Sequence, residues 1–232
     1  MPRRTALRLL TAAGAALAAG GCGLLGGNRY RFRLTVAVAT PEGLRTGSSV
    51  YEVWASRTGA FLPDAAKRTW QVTGEAVAVD LPGGRTLYAL LKTGAHFDDM
   101  MGLSMNTLHP DFRGTGYDVV GVAEELARGE HPGPAPVAPA DYPMLVTFAD
   151  ESDPASVQLV EPENFAVQFG PGVRLQHITA ELTEDAVTRG IEAKLRWLSD
   201  YPEPRVDPTY KGSVSPTAEQ LLKHGDFRRG TK

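Results

Sequence analysis

Apolar and polar residues alternate through residues 29–40. The apolar positions of this alternation are Tyr30, Phe32, Leu34, Val36 and Val38, and the polar positions between them are Arg29, Arg31, Arg33 and Thr35. A period of two is typical of a strand with one buried face and one solvated face. The pattern therefore predicts a first strand that buries aromatic and aliphatic side chains.

Three further stretches rich in apolar, β-branched and aromatic residues predict strands at 48–55, 70–81 and 85–92. The stretch at 70–81 is clearest from residue 75 onward, where Val77, Val79 and Leu81 share a face. Turn residues separate the strands, namely Pro41-Glu42-Gly43 and Pro82-Gly83-Gly84. Closely spaced strands with short turns predict an antiparallel meander over 29–92.

The middle of the chain predicts a loop, a helix and a proline-rich segment. Residues 94–116 show no regular period and indicate a long loop. Residues 117–128 have helical spacing, with Asp118 as the N-terminal cap and Gly129 at the end. Five prolines then lie close together, at Pro132, Pro134, Pro136, Pro139 and Pro143. Such a run favours an extended segment.

The last third of the chain predicts alternating short strands and helices. The predicted strands are 144–149, 156–160 and 173–182, and the predicted helices are 162–169, 187–198 and a last one from Ser215-Pro216 to about Gly225. The helix at 187–198 is inferred from Val187, Ile191, Leu195 and Leu198, which recur at helical spacing. The basic tail, residues 228–232, is expected to fray.

Together these elements predict a β-rich α+β fold: an antiparallel meander or sandwich-like sheet with one to three short helices packed on it. We expect residues 29–232 to form a single domain, in which 129–143 is a crossing loop. The alternative is two small domains, 29–128 and 144–232. One domain is favoured because the second half alone has few strands with which to bury a core.

Composition narrows the class of protein further. The chain has 232 residues, of which 42% are hydrophobic, and its formal net charge is −3. These values are typical of a folded protein with a packed core. A net negative charge argues against nonspecific binding to nucleic acid. No apolar run reaches the roughly 18 residues that a membrane-spanning helix needs.

The N-terminus has the three parts of a secretory signal. Arg3, Arg4 and Arg8 make it basic, and no acidic residue precedes Glu42. Residues 9–19 are then all small or apolar, and small residues follow them. This order of features predicts an export signal over residues 1–21.

Cys22 is the only cysteine of the chain and directly follows this signal. The sequence Leu17-Ala18-Ala19-Gly20-Gly21-Cys22 resembles the lipobox of bacterial lipoproteins. The resemblance implies that a diacylglycerol is attached to the Cys22 thiol and that a dedicated peptidase cuts before this residue. It also implies a lipidated tether over 22–28. Because Gly23 is not Asp, it favours sorting to the outer membrane in a cell with two membranes. The alternative is an ordinary signal cut near Ala16-Leu17-Ala18, which would leave an unmodified thiol.

Residues 1–21 also bear on the route of export and on the net charge of the mature chain. Arg3-Arg4-Thr5-Ala6-Leu7 also resembles the twin-arginine signal for folded proteins, although the general secretory route is the default expectation. Cleavage before Cys22 would remove three arginines and no acid, which lowers the formal net charge to −6. The mature chain would then have no polybasic segment for anionic lipid, so its hold on a membrane must come from the acyl chains.

Three segments of the mature chain resemble a group of exported bacterial proteins of unassigned function. They are residues 40–53 (TPEGLRTGSSVYEV), 74–81 (GEAVAVDL) and 153–198. The resemblance implies a location in the cell envelope and transfers no catalytic residue.

The densest group of residues with possible chemistry lies at 96–111. Its potential metal ligands are His96, Met100, Met101, Met105 and His109, accompanied by Asp98, Asp99 and Asp111. Thioether and imidazole ligands together suit copper, whereas imidazole and carboxylate suit harder metals. The alternative is that the methionines fill irregular gaps in the core while the polar residues are solvated.

Other catalytic patterns are incomplete. Asp98 and Asp99 are adjacent, so they point in opposite directions on an extended chain and make a poor carboxylate pair. Neither Ser48 nor Ser104 lies in a Gly-x-Ser-x-Gly motif. Gly114-x-Gly116 lacks the third glycine of a dinucleotide-binding loop.

The arginine row on the first strand, Arg29, Arg31 and Arg33, has two interpretations. It is an ordinary solvated strand face, or it contacts an anionic surface near the tether.

The leading functional interpretation is a noncatalytic lipoprotein of the cell envelope, anchored by acyl chains and facing the periplasm. It would bind or scaffold an envelope protein or polymer and use no cofactor. The alternative is an exported enzyme or metal-binding protein that uses the loop at 96–111.

Overall fold

The described part of the chain forms two antiparallel sheets and three short α-helices. The computed structural model describes residues 28–57, 68–93, 100–109, 111–112, 118–129, 133–199, 204–206, 220 and 222–230. The predicted signal, Cys22 and most of the tether lie outside these residues. The predicted β-rich α+β class is confirmed.

The first sheet contains six strands in the order β10-β3-β2-β1-β9-β6. Their bounds are β1 Asn28–Thr40, β2 Gly43–Arg57, β3 Arg68–Glu75, β6 Ala135–Pro136, β9 Arg174–Leu182 and β10 Arg228–Arg229. The predicted alternation of β1 is confirmed, since Tyr30, Phe32 and Leu34 are buried. β1 pairs along its whole length with β2 and, over residues 32–39, with β9 on the other side.

The second sheet contains four strands in the order β4-β5-β7-β8. Their bounds are β4 Val77–Leu81, β5 Arg85–Thr93, β7 Pro143–Phe148 and β8 Val157–Leu159. In this sheet β7 pairs with β5, and in the first sheet β9 pairs with β1. Strand pairing therefore joins the first and second halves of the chain in both sheets. Residues from both halves also contribute to one hydrophobic cluster.

The predicted strand at 70–81 is instead two strands in different sheets, separated at Ala76. Gly74 has a φ of +156°, and a Cβ there would lie 2.4 Å from Cδ1 of Tyr51. Glycine thus permits a close approach of the backbone to the Tyr51 ring. The Ala76 nitrogen then donates to the Phe227 carbonyl oxygen at 2.8 Å. The chain passes from one sheet to the other here.

The α-helices with bounds within the described residues are α1 Met100–Leu108, α2 Val119–Ala127 and α3 Phe165–Phe169. The prediction of a loop over 94–116 is wrong for α1. Most of the α1 side chains are buried, so the helix shows no polar face that would reveal its period. The prediction for α2 is confirmed, because the Asp118 side chain accepts a hydrogen bond from the Gly121 nitrogen at 3.2 Å. Gly129, with a φ of +68°, follows the helix.

Two predictions near the C-terminus are wrong. Residues 187–198 contain only a short 3-10 helix, Ile191–Ala193, preceded by Gly190 at a φ of +115°. Ile191, Leu195 and Leu198 are nevertheless buried, so their spacing reflects contact with the core and not a helix. The expected fraying is wrong for Arg228–Arg229, which pairs with β3 as β10. Most of the predicted helix from residue 215 lies outside the described residues.

Candidate functional site

The methionines of the predicted metal site lie in the hydrophobic core. Met100 and Met105 are fully buried and Met101 is nearly so, and all three belong to α1. They therefore occupy the gap-filling role that methionine commonly has in cores. His96, Asp98 and Asp99 lie outside the residues that the structure describes, so the metal site stays a prediction.

His109 directly follows α1 and is buried. Its Nε2 lies 2.6 Å from Oε2 of Glu125 on α2. The contact joins the end of α1 to the neighbouring helix. Within the described ranges, no group of three or more His, Cys, Asp or Glu side chains is arranged to hold a metal ion.

Ser104 and Ser48 occupy structural positions in the fold. Ser104 is fully buried, lies 2.8 Å from the Tyr30 hydroxyl and donates to the Met101 carbonyl oxygen. Ser48 is exposed on β2, opposite Thr35. The glycines of the incomplete phosphate loop, Gly114 and Gly116, lie outside the described residues.

The arginine row of β1 is paired with acidic side chains from three other parts of the chain. Arg31 binds Glu52 of β2 at 2.9 Å, and Arg29 approaches the same carboxylate at 3.5 Å. Arg33 binds Glu181 of β9 at 2.8 Å and also contacts Asp185. These ion pairs are at least partly solvated, so each contributes at most about 1 kcal/mol to stability. They link β1 to both of its neighbours.

A polar cleft of about 390 Å³ lies beside the start of β1. Its lining residues come from β1, β2, the end of α2 and the segment after β9: Arg29, Tyr30, Arg31, Glu52, Leu126, Ala127, Arg128, Gly129, Leu182, Thr183 and Glu184. Three guanidinium groups and two carboxylates therefore line one opening. It lies where the predicted tether joins the folded part of the chain.

A second concave surface, of about 220 Å³, borders the second sheet. Proline, aromatic and aliphatic residues form most of it: Pro139, Ala140, Tyr142, Pro143, Met144, Leu145, Leu159, Val160, Glu161 and Pro162. Leu159, on the edge strand β8, is 41% exposed.

A buried polar cluster at the crossing between the sheets was not predicted from the sequence. Glu75 is only 2% exposed, and its Oε2 accepts a hydrogen bond from the Ile191 nitrogen at 2.9 Å. Its backbone carbonyl accepts a hydrogen bond from buried Ser49. Burial raises the pKa of the Glu75 carboxyl above its ordinary value, with the negative charge of Glu192 adding to the effect. The Ile191 hydrogen bond and Arg228 partly oppose this rise in the pKa.

We expect the Glu75 carboxyl to make the folded chain less stable as the pH rises. Because its folded pKa is raised, its contribution to stability is complete below its ordinary value of about 4.5 and is lost as the pH rises through the folded pKa. Glu75→Gln keeps a carbonyl acceptor for the Ile191 nitrogen and removes this titration. Urea unfolding across the pH range 4–8 should therefore show a smaller loss of unfolding free energy in this variant than in the wild type.

Glu163→Gln is the matched control for this prediction, since Glu163 is exposed. The control should reproduce the pH dependence of the wild type. If Glu75→Gln also reproduces it, the raised pKa of Glu75 is contradicted.

The chain matches no protein-family model, no curated protein and no solved structure. Among the helices of the described residues, none combines the length and the apolar character needed to cross a bilayer.

Proposed function

We propose that this protein is a membrane-anchored lipoprotein of the bacterial cell envelope, whose folded part is a noncatalytic binding or scaffolding module facing the periplasm. The observation that carries the proposal is the position of Cys22. A basic start, a short apolar stretch and small residues precede this lone thiol in the order typical of a secretory signal, and the last of them complete the segment that resembles a lipobox. Sorting to the outer membrane is proposed from Gly23.

The position of the first strand supports the anchor. β1 begins at Asn28, so only five residues separate it from Cys22. A lipid on Cys22 would therefore hold the folded part close to the membrane surface. Acyl burial contributes about 0.8 kcal/mol per methylene, so two or more chains suffice for stable anchoring where one is marginal.

The surface of the folded part supports a binding role. The groove around Tyr142, Pro143 and Leu159 offers apolar contact area beside an edge strand. The cleft at Arg29 and Arg128 offers charged groups of both signs. An envelope protein or an envelope polymer is the proposed partner, with the membrane bound through the acyl chains.

Detergent phase partition tests the anchor without altering the chain. The full-length protein is expressed in a bacterium with its own signal, and the envelope is dissolved in Triton X-114 and warmed until the phases separate. The mature protein should enter the detergent phase, although its net charge of −6 would place an unlipidated form in the aqueous phase. Recovery of the mature protein in the aqueous phase would contradict the proposal.

A further inference from the structure

We propose that the end of the first sheet where β1 begins lies on the membrane, with Trp70 in the interfacial layer and Arg29 and Arg128 against lipid phosphates. This inference rests on the proposed lipidation of Cys22 and adds an orientation to it. We call this surface, formed by Asn28, Arg29, Arg57, Trp70 and Arg128, the proximal end.

The length of the tether limits which part of the fold can reach the bilayer. Cys22 and Asn28 are six residues apart, so the chain between their Cα atoms spans at most about 21 Å. β1 runs twelve residues further, to Thr40, which is about 40 Å of strand. The proximal end thus stays within tether reach of the interface, whereas the hairpin at Thr40–Gly43 lies a full strand length away.

An exposed tryptophan lies in the same row of the sheet as Asn28, the first residue of β1. Asn28 pairs with Ala55, and Ala55 pairs with Trp70, so these three residues form one row across β1, β2 and β3. Trp70 is 48% exposed. Tryptophan is enriched at membrane interfaces because its ring is apolar and its N–H is polar. This position would place the ring at the level of the lipid headgroups.

Arginines surround the same end. Side chains of Arg29, Arg57 and Arg128 are each more than half exposed, and Arg29 is 66% exposed. Their acidic partners are Glu52 at 3.5 Å, Asp118 at 3.0 Å and Glu124 at 3.5 Å. Because the contact of Arg29 with Glu52 is long and solvated, a lipid phosphate can compete for this guanidinium group, and Arg128 lines the same cleft.

The position of α2 brings Arg128 to this end. The Asn28 side-chain amide donates to the Val120 carbonyl oxygen at 3.4 Å, near the start of the helix. The other end of α2 reaches the cleft that Arg29 lines. Arg57 of β2 binds Asp118, the N-terminal cap of α2. This ion pair connects the start of α2 to β2.

Because the mature chain as a whole is acidic, the proximal end would set the orientation of the fold on the membrane and not its affinity. With a net charge of −6, the mature protein as a whole is repelled by anionic lipid, so the acyl chains provide the affinity. Local guanidinium groups beside the tether would then decide which side of the fold faces the lipid.

Single-tryptophan reporters in the lipidated, full-length protein test the orientation. Trp54→Phe with Trp197→Phe leaves Trp70 as the only tryptophan. The control replaces all three tryptophans with phenylalanine and adds Leu44→Trp, at an exposed site in the distant hairpin. Both proteins are placed in vesicles of phosphatidylethanolamine and phosphatidylglycerol that carry a nitroxide group high on the acyl chain. Trp70 should lose most of its fluorescence, and the Leu44→Trp reporter should lose little.

Charge reversal tests the phosphate contact in the same vesicles. Arg29→Glu should reduce the quenching of Trp70, whereas Arg45→Glu, at the distant hairpin, should leave it unchanged. Equal quenching of Trp70 in both variants would overturn the role of the arginine. Hydrogen–deuterium exchange of the unsubstituted protein provides a second measurement if a reporter fails to fold. It should show lipid-dependent protection of 68–75 and none of 40–45.

The outcomes separate this inference from the proposed function. If the protein floats with the vesicles but Trp70 is quenched no more than the Leu44→Trp reporter, the orientation is wrong and the anchor stands. If the mature protein carries no lipid and does not float with the vesicles, the anchor is wrong and the orientation fails with it.

Discussion

Cys22→Ser should move the mature protein from the membrane pellet to the soluble periplasmic fraction, or leave it as an uncut precursor. The lipobox resemblance implies that the thiol receives the diacylglycerol and that cleavage follows this modification. A serine hydroxyl does not replace the thiol in that step. Without acyl chains, an acidic domain with no polybasic segment has little hold on lipid. Fractionation of cells and immunoblotting measure the shift, which should be nearly complete.

Leu24→Ser is the matched control, because it also introduces a serine near the cut but leaves Cys22 in place. This variant should stay in the membrane pellet. A Cys22→Ser protein that is cut at the same place and resists extraction from the membrane as the wild type does would contradict the lipid anchor.

Gly47→Ala should strongly destabilise the fold. Gly47 of β2 faces β4 of the other sheet, and a Cβ at this position would lie 2.1 Å from the Ala78 carbonyl oxygen and 2.8 Å from its carbonyl carbon. Both atoms belong to the backbone, so no side-chain rotation relieves the clash. Overpacking of this kind costs about 1–3 kcal/mol, and more where backbone must move. Urea unfolding followed by circular dichroism measures the loss.

Gly102→Ala is the control for Gly47→Ala, because the same substitution at this position causes no steric clash. Gly102 lies within α1, and a Cβ there would meet no atom within 4 Å. Alanine in a helix interior is favoured over glycine by up to about 1 kcal/mol, so this variant should be as stable as the wild type or more so. If Gly47→Ala is the more stable of the two variants, the close packing of β2 against β4 is contradicted.

Local sequence patterns predicted the strands and helices that bury only one face. β1 alternates because one face meets the core and the other meets water, and α2 has a cap at Asp118 and an apolar stripe. α1 is buried on most sides, so its sequence carries no amphipathic period. Local alternation does not reveal that 70–81 divides into β3 and β4, where Gly74 lies against the Tyr51 ring of another strand.

The features of the site were predictable to different degrees. Glu75 shares the period-two face of Val77 and Val79, so its burial could have been predicted from that alternation. The acidic partners of the arginine row could not have been predicted from the sequence. Arg33 and Glu181, for example, lie 148 residues apart and meet only when β9 pairs with β1. The buried state of Met100 and Met105 likewise depends on the fold around α1.

The mass of the N-terminal peptide of the mature protein tests the lipid anchor most directly. The protein is purified from membranes after expression with its own signal, digested, and analysed by mass spectrometry. We predict that Cys22 is the first residue and carries the mass of a thioether-linked diacylglycerol. A mature chain that begins elsewhere, or that holds Cys22 with a free thiol, would contradict the lipid anchor.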